Sequence, residues 1–385
     1  MSDAEAQVVP AEVLECLGAW SDPHSGKTLT ELGALDVAAA SDASNSSASE
    51  ASASPAPSAV LTVKLPYPAQ RYARELEQLL DQHLQSPGHL SLQAQHISLR
   101  IQSAVSAHTV QKGVSRIDGI KNIIAIASGK GGVGKSTTAV NLALALIAEG
   151  ASVGMLDADI YGPSQPRMLN LSGKPDSPDG KSMAPKQNYG IATMSMGFLV
   201  DDDSPTIWRG PMVTQALEQL LFLTQWGELD YLIVDLPPGT GDTQLTLAQK
   251  VPLSGAVIVT TPQDIALADA RKGLRMFESV DVPILGIVEN MSFHRCPDCG
   301  REERFFGRDG GRNLATEASV RLLGELPLDV SICEQADSGK PSVVAEPDGD
   351  IATLYRRIAR NTAAQLSLHG KDYKTQFPNI VIQST

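Results

Sequence analysis

The run Ser128-Gly129-Lys130-Gly131-Gly132-Val133-Gly134-Lys135-Ser136-Thr137-Thr138 constrains this chain more than any other stretch. It fits G-x-x-x-x-G-K-[ST]. An apolar strand-like run, Asn122 to Ala127, feeds it, and good helix formers, Ala139 to Ile147, follow it. Strand, glycine loop and helix in that order make a phosphate cradle. Glycines let the backbone turn so that N–H groups between Gly129 and Thr137 point inward, where a Cβ would collide with phosphate oxygens. Lys135 is placed to bridge the β- and γ-phosphates, and Ser136 to set its hydroxyl on Mg²⁺. The expected ligand is a nucleoside triphosphate.

At 385 residues the chain has room for two domains, one large enough for a doubly wound core. A net charge of −13 gives no basic footprint for nucleic acid, so no nucleic-acid partner is expected. Met1 to Ala11 carries neither a basic n-region nor an apolar h-region, and no run of 18 apolar residues occurs. No membrane partner is expected. Four cysteines are too few for a disulfide scaffold and, with the phosphate loop, point to a reducing cytoplasm.

Of residues 38–59, 17 of 22 are Ala or Ser, which cannot bury enough surface to offset ordering entropy. They are expected to be a disordered insert. It interrupts a small α/β domain formed by 1–37 and 60–112, with Val13, Leu14 and Leu17 in helical spacing, Val60 to Leu65 as a strand and Arg71 to Leu84 as a helix. A linker at 113–121 then leads to the phosphate-loop domain at 122–369 and a tail at 370–385. In the large domain short branched runs at Ser152–Leu156, Tyr231–Leu236, Ala256–Thr260, Ile284–Val288 and Arg321–Leu326 alternate with helices such as Met212–Leu223 and Ile265–Phe277. They read as buried parallel strands of a doubly wound, mostly parallel sheet, whose ligands sit at the carboxyl ends of the strands.

Chemistry-bearing residues follow those strand ends. Asp157-Ala158-Asp159 places two carboxylates on one side of a strand terminus, one to orient an attacking water and the other to hold Mg²⁺ waters or Lys135. Tyr231 to Asp235 is a Walker-B-like strand whose acid would bind Mg²⁺ through water, followed by Pro237-Pro238-Gly239-Thr240-Gly241-Asp242. Cys296-Pro297-Asp298-Cys299 brings two thiolates within reach of one metal, but only two. Four readings stand for it: a redox pair, a zinc knuckle completed by His294, an unliganded pair, or half of a [4Fe–4S] site whose other two thiolates come from a second copy.

The octet Lys130-Gly131-Gly132-Val133-Gly134-Lys135-Ser136-Thr137 resembles the deviant phosphate-loop family that includes ParA- and MinD-type ATPases, the nitrogenase iron protein and the Mrp (ApbC-like) iron–sulfur carriers. The Mrp branch shares more. The order of Asp157 to Ser164, Trp208-Arg209-Gly210-Pro211-Met212, Asp235 to Asp242, Asn290-Met291-Ser292 ahead of Cys296 and Cys299, Phe306-Gly307 with Gly310-Gly311, and Gly324 to Asp329 matches it. The resemblance implies that Lys130 reaches the partner's nucleotide, that Asp159 positions water, that Asn290 contacts adenine, and that Cys296 and Cys299 hold a labile cluster between two subunits. It further implies an ATPase that passes the cluster to apo iron–sulfur proteins after loading from upstream scaffold proteins. The segment before the ATPase resembles the small domain preceding it in many Mrp proteins, but Tyr67 stands near where many free-standing relatives carry a cysteine. The alternative is a ParA/MinD-like positioning ATPase. Against it, Leu366 to Thr385 lacks a basic amphipathic face, and neither cysteine would be needed.

Overall fold

The computed structural model describes residues 9–39, 59–86, 92, 97–111, 113–199 and 210–371. Most of the Ala/Ser-rich insert, Trp208-Arg209 and the tail beyond 371 lie outside them. Two compact units divide between Val105 and Ser106.

The first unit comprises α1 (Ala11–Ala19), β1 (Leu35–Ala39), β2 (Ala59–Leu65), α2 (Ala73–Gln85) and β3 (Ile97–Ser103). Its sheet runs β1-β2-β3, with β1 antiparallel and β3 parallel to β2. Leu76, Leu80 and Leu84, one helical turn apart, form the buried stripe of α2. Tyr67 is fully buried and donates its hydroxyl to Asp22 Oδ1 at 2.7 Å. Asp22 also accepts from the Ser25 amide at 2.8 Å and the Ser25 hydroxyl at 2.5 Å, so its charge is met inside a tight turn.

The second unit opens with β4 (Ile120–Ala127), α3 (Lys135–Ala148), β5 (Val153–Asp157), α4 (Gln165–Met168), β6 (Lys186–Asn188) and β7 (Ile191–Ser195). It continues through α5 (Gly210–Phe222), β8 (Leu229–Asp235), α6 (Asp242–Lys250), β9 (Gly255–Thr260), α7 (Asp264–Ser279) and β10 (Ile284–Arg295). It closes with β11 (Glu302–Glu303), α8 (Gly310–Glu317), β12 (Leu322–Pro327), α9 (Val330–Asp337), α10 (Ser342–Ala345) and α11 (Asp350–Ser367). The sheet order is β11-β10-β9-β4-β8-β5-β7-β6, with β12 pairing β10. All pairs are parallel except the edge pairs β10–β11 and β6–β7. This is the expected doubly wound α/β architecture.

Helices cover both faces. α5 to α8 pack against one another in one layer, while α3, α4, α9, α10 and α11 pack together in the other. Alternation along β4 serves both: Ile123, Ala125 and Ala127 enter a core with Leu247, Leu274 and Phe277, while Ile124 and Ile126 are buried outside that cluster. α3 is buried nearly all round, through Val140, Leu142, Ala143, Leu144, Ala145 and Leu146, as a helix beneath a second helical layer must be.

The segment 106–111, expected in the small domain, belongs with the second unit. Gln111 Nε2 donates to the carbonyls of Ala248 and Val251 at 2.7 and 3.2 Å. His108 Nδ1 meets Asn122 Oδ1 at 3.0 Å. These bonds tie the segment to α6 and β4.

Candidate functional site

The phosphate loop joins β4 to α3, and Gly132 and Gly134 take φ of +83° and +84°, a region open to glycine at little cost. Two glycines are also fixed by close approach. A Cβ on Gly129 would come within 2.2 Å of the Asp269 backbone on α7, and one on Gly134 within 2.1 Å of Asn290 Nδ2. Lys135, at the first position of α3, is 6% exposed and pairs with Asp235 Oδ1 at 2.5 Å. Asp235 ends β8 and is fully buried; its other oxygen accepts from Gln165 Nε2 at 2.9 Å. A buried carboxylate with both oxygens engaged is tolerable where a bare one is not.

The two acids after β5 differ in setting. Asp157 is fully buried and accepts from the amides of Asp159, Ser164 and Gln165 at 3.2, 3.0 and 3.0 Å, and from Ser195 Oγ at 3.1 Å. Burial, helped by the charge of Asp235, pushes its pKa up to about 7. It therefore organises the loop that follows rather than facing an open site. Asp159 is half-buried, and burial raises its pKa while Lys135 opposes the rise. Lys130 is half-buried on the outer rim of the loop between two glycines, one of them, Gly131, exposed. Gly239, φ +105°, anchors the segment after β8 by donating its amide to the Ser128 carbonyl at 2.9 Å.

Sequence reasoning passed over Gln165. Its side chain reaches Ser136 O at 3.1 Å as well as Asp235, so it ties the loop after β5 to both nucleotide motifs. Only its place just after Gly162-Pro163-Ser164 could have drawn attention to it. Ser164 Oγ and Gln165 Oε1 are buried without a hydrogen-bond partner among the described residues. The Gln165 oxygen belongs to the amide that touches Asp235 and Ser136, and an orphaned oxygen there fits the water shell of a hard cation.

β10 is longer than its apolar run implies. It continues past Val288 through Glu289, Asn290, Ser292 and His294 to Arg295, then turns at Cys296 to Gly300 into β11. His294 pairs with Glu303 and Arg295 with Glu302, so the two cysteines sit at the tip of a hairpin at the sheet edge. The turn is closed by Cys296 N to Arg301 O at 2.9 Å and Gly300 N to Cys296 O at 2.8 Å, with Gly300 at φ +71°. Cys299 is exposed and Cys296 half-buried. The backbone amides of Cys299 and Asp298 hold the Cys296 thiol below its ordinary pKa, favouring the thiolate.

Among the described residues no three His, Cys, Asp or Glu side chains converge to hold a metal ion. His294 does not complete a knuckle: its Nδ1 meets the Leu328 carbonyl at 3.1 Å and its ring stacks on Phe305. Cys333 lies exposed on α9, and Cys16 belongs to the first unit. Asn290 donates its Nδ2 to the Val133 carbonyl at 2.9 Å, so its amide braces the phosphate loop.

A family model described as NUBPL iron-transfer P-loop NTPase matches residues 119–363. The iron–sulfur cluster carrier protein of Escherichia coli K12 is 58% identical over 256 residues, 66% of this chain and 69% of the relative. The mouse iron–sulfur cluster transfer protein NUBPL is 55% identical over 252 residues, 65% of this chain and 79% of the relative. Among solved structures, an Archaeoglobus fulgidus nucleotide-binding protein in complex with ADP is 39% identical. The alignment covers 61% of this chain and 92% of that one, with a TM-score of 0.54.

Proposed function

Since this chain belongs to the NUBPL iron-transfer P-loop NTPase family, we propose that it is an ATP-binding, slowly ATP-hydrolysing carrier of an iron–sulfur cluster. The cluster, its cargo, would sit between two copies of the chain and pass to apo-proteins in the cytoplasm. The observation that carries this reading is the cysteine hairpin. It presents two thiols and, among the described residues, no third ligand, so the four sulfur ligands of a [4Fe–4S] cluster would come from two copies. A cluster held by solvent-facing thiolates at a strand tip is exchangeable, which suits transfer.

In the nucleotide site the amides from Gly129 to Thr137 would cradle the phosphates, and Lys135 would leave or share Asp235 to meet the β/γ oxygens. Ser136 and Asp235 would hold Mg²⁺, directly and through water, and the ion would neutralise charge developing on the phosphates. Asp159, less enclosed than Asp157, would orient the attacking water, while Asp157 fixes the loop that carries it. Lys130, on the rim, would act on the partner's nucleotide. Asn290 would lie beside the adenine while bracing Val133.

Anaerobic reconstitution followed by iron and sulfide analysis tests the reading. One [4Fe–4S] cluster per two chains, lost in the double variant Cys296→Ala, Cys299→Ala, is the expected result. Zinc without acid-labile sulfide would overturn it.

A further inference from the structure

The nucleotide loop and the cysteine hairpin share one strand. Asn290 of β10 holds the Val133 carbonyl of the phosphate loop, and Cys296 follows at the same strand's far end. Between them Met291 takes φ +55°, a left-handed conformation that costs a non-glycine residue roughly 1 kcal/mol. The pairing of β10 with β12 slips between Glu289 and Phe293, so the strand is bent at this point.

A polar cluster locks both sides of the bend. Glu289 and Ser292 are fully buried; the Ser292 hydroxyl donates to the Glu289 carboxylate, which also accepts the Gly311 amide opening α8. Arg304, on the return arm after β11, donates from Nη1 to Ser292 Oγ at 3.0 Å and pairs with Glu325 of β12 at 3.3 Å. Its guanidinium lies 6.0 Å from the Phe293 ring centre. The base of the cysteine hairpin is thus clamped to the residue adjoining Asn290. Buried polar groups of this kind have few satisfied arrangements, so displacement at one is felt at the others.

Resting on the carrier reading, we infer that Ser292 and Arg304 are positioning residues, which hold the Cys296–Cys299 hairpin in register with the phosphate loop and transmit nucleotide occupancy to the thiols. Neither is placed in the phosphate cradle or among the cysteine ligands. By linkage, whatever nucleotide does to the hairpin, a ligand on the hairpin does to nucleotide affinity.

Thiol alkylation of the reduced, iron-free full chain by iodoacetamide tests this without a cluster. Labelling of Cys296 and Cys299 is followed by mass spectrometry with Cys333 as internal reference, without nucleotide, with Mg-ADP and with Mg-ATP. In the parent protein nucleotide should change the two rates by about fivefold or more. In Ser292→Ala and Arg304→Gln the change should fall below about twofold, with nucleotide affinity kept within about twofold, and Arg304→Lys should restore part of it. Ser292→Ala removes a single oxygen and decides the matter if Arg304→Gln does not fold. No nucleotide effect in the parent, or an undiminished effect in the variants, overturns the inference. So does loss of nucleotide affinity in the variants, which would make the two residues mere support for the loop. Failure of the parent to take up iron and sulfide would sink the carrier reading instead, leaving the labelling result to stand on its own.

Discussion

Lys135 and Asp235 form an ion pair almost out of reach of water, and such a pair is costly to break from one side. Lys135→Ala should remove most ATP binding, because the phosphates lose their point cation. It should also cost about 3 kcal/mol of stability by stranding Asp235. Nucleotide titration beside a denaturant melt separates the two losses. Lys130 carries no such burden: it is half-buried on the rim of the loop. Lys130→Ala should leave ATP affinity within a few-fold and slow hydrolysis by roughly 10³-fold, the scale of an in-trans cation in phosphoryl transfer. Equal and complete loss of binding in both variants would refute the in-trans role. Asp159→Asn should lower turnover by about 10²-fold or more with ATP affinity kept, since the cradle stays intact. A steady-state rate matching the parent would move the water-positioning role elsewhere.

Among the elements, the phosphate loop was legible to the residue because its backbone demands are local: positive φ at Gly132 and Gly134, and no room for a Cβ at Gly129. Gly129→Ala should push the loop off α7, costing about 2 kcal/mol and weakening nucleotide binding; a melt and a titration check both. The central strands β4, β8 and β9 were legible as well, being apolar runs buried on both faces. β10 was read only as Ile284 to Val288. Its continuation is polar, and its strand geometry rests on partners distant in sequence: Glu289 on Gly311, Asn290 on Val133, Ser292 on Arg304. β6 escaped for a similar reason, since Lys186–Asn188 has no apolar pattern and is held by pairing with β7. The segment ahead of β4 carries a consequence for pH. Burial lowers the pKa of His108, with Lys371, His369 and Arg116 also disfavouring its charge and Asn122 opposing. A histidine whose folded pKa is depressed lets the unfolded chain bind more protons, so stability falls as pH drops through the unfolded value of about 6.5. Asp157, with its raised pKa, acts in the opposite sense over the same range, so the test is the difference: the denaturant midpoint of the parent should fall relative to that of His108→Gln between about pH 7.5 and 5.5.

At the scale of the whole molecule, ligand types and their order along the chain were set by sequence alone. A glycine loop ahead of a lysine, acids at strand ends and two closely spaced cysteines each announce a chemistry through local geometry and charge. The doubly wound class followed from alternating buried runs, since parallel strands need crossover helices. Tertiary structure decided what each acid is free to do. Asp157 and Asp159 are near neighbours in sequence, yet one is sealed by four hydrogen bonds and the other stays half open. It also decided that the cysteine pair lies at a strand tip without a third metal-ligating side chain among the described residues, with His294 turned to Leu328, and that this tip belongs to the strand bracing the phosphate loop. The reason is physical: a side chain's type is written locally, whereas its burial and hydrogen-bond partners depend on segments brought together only by folding.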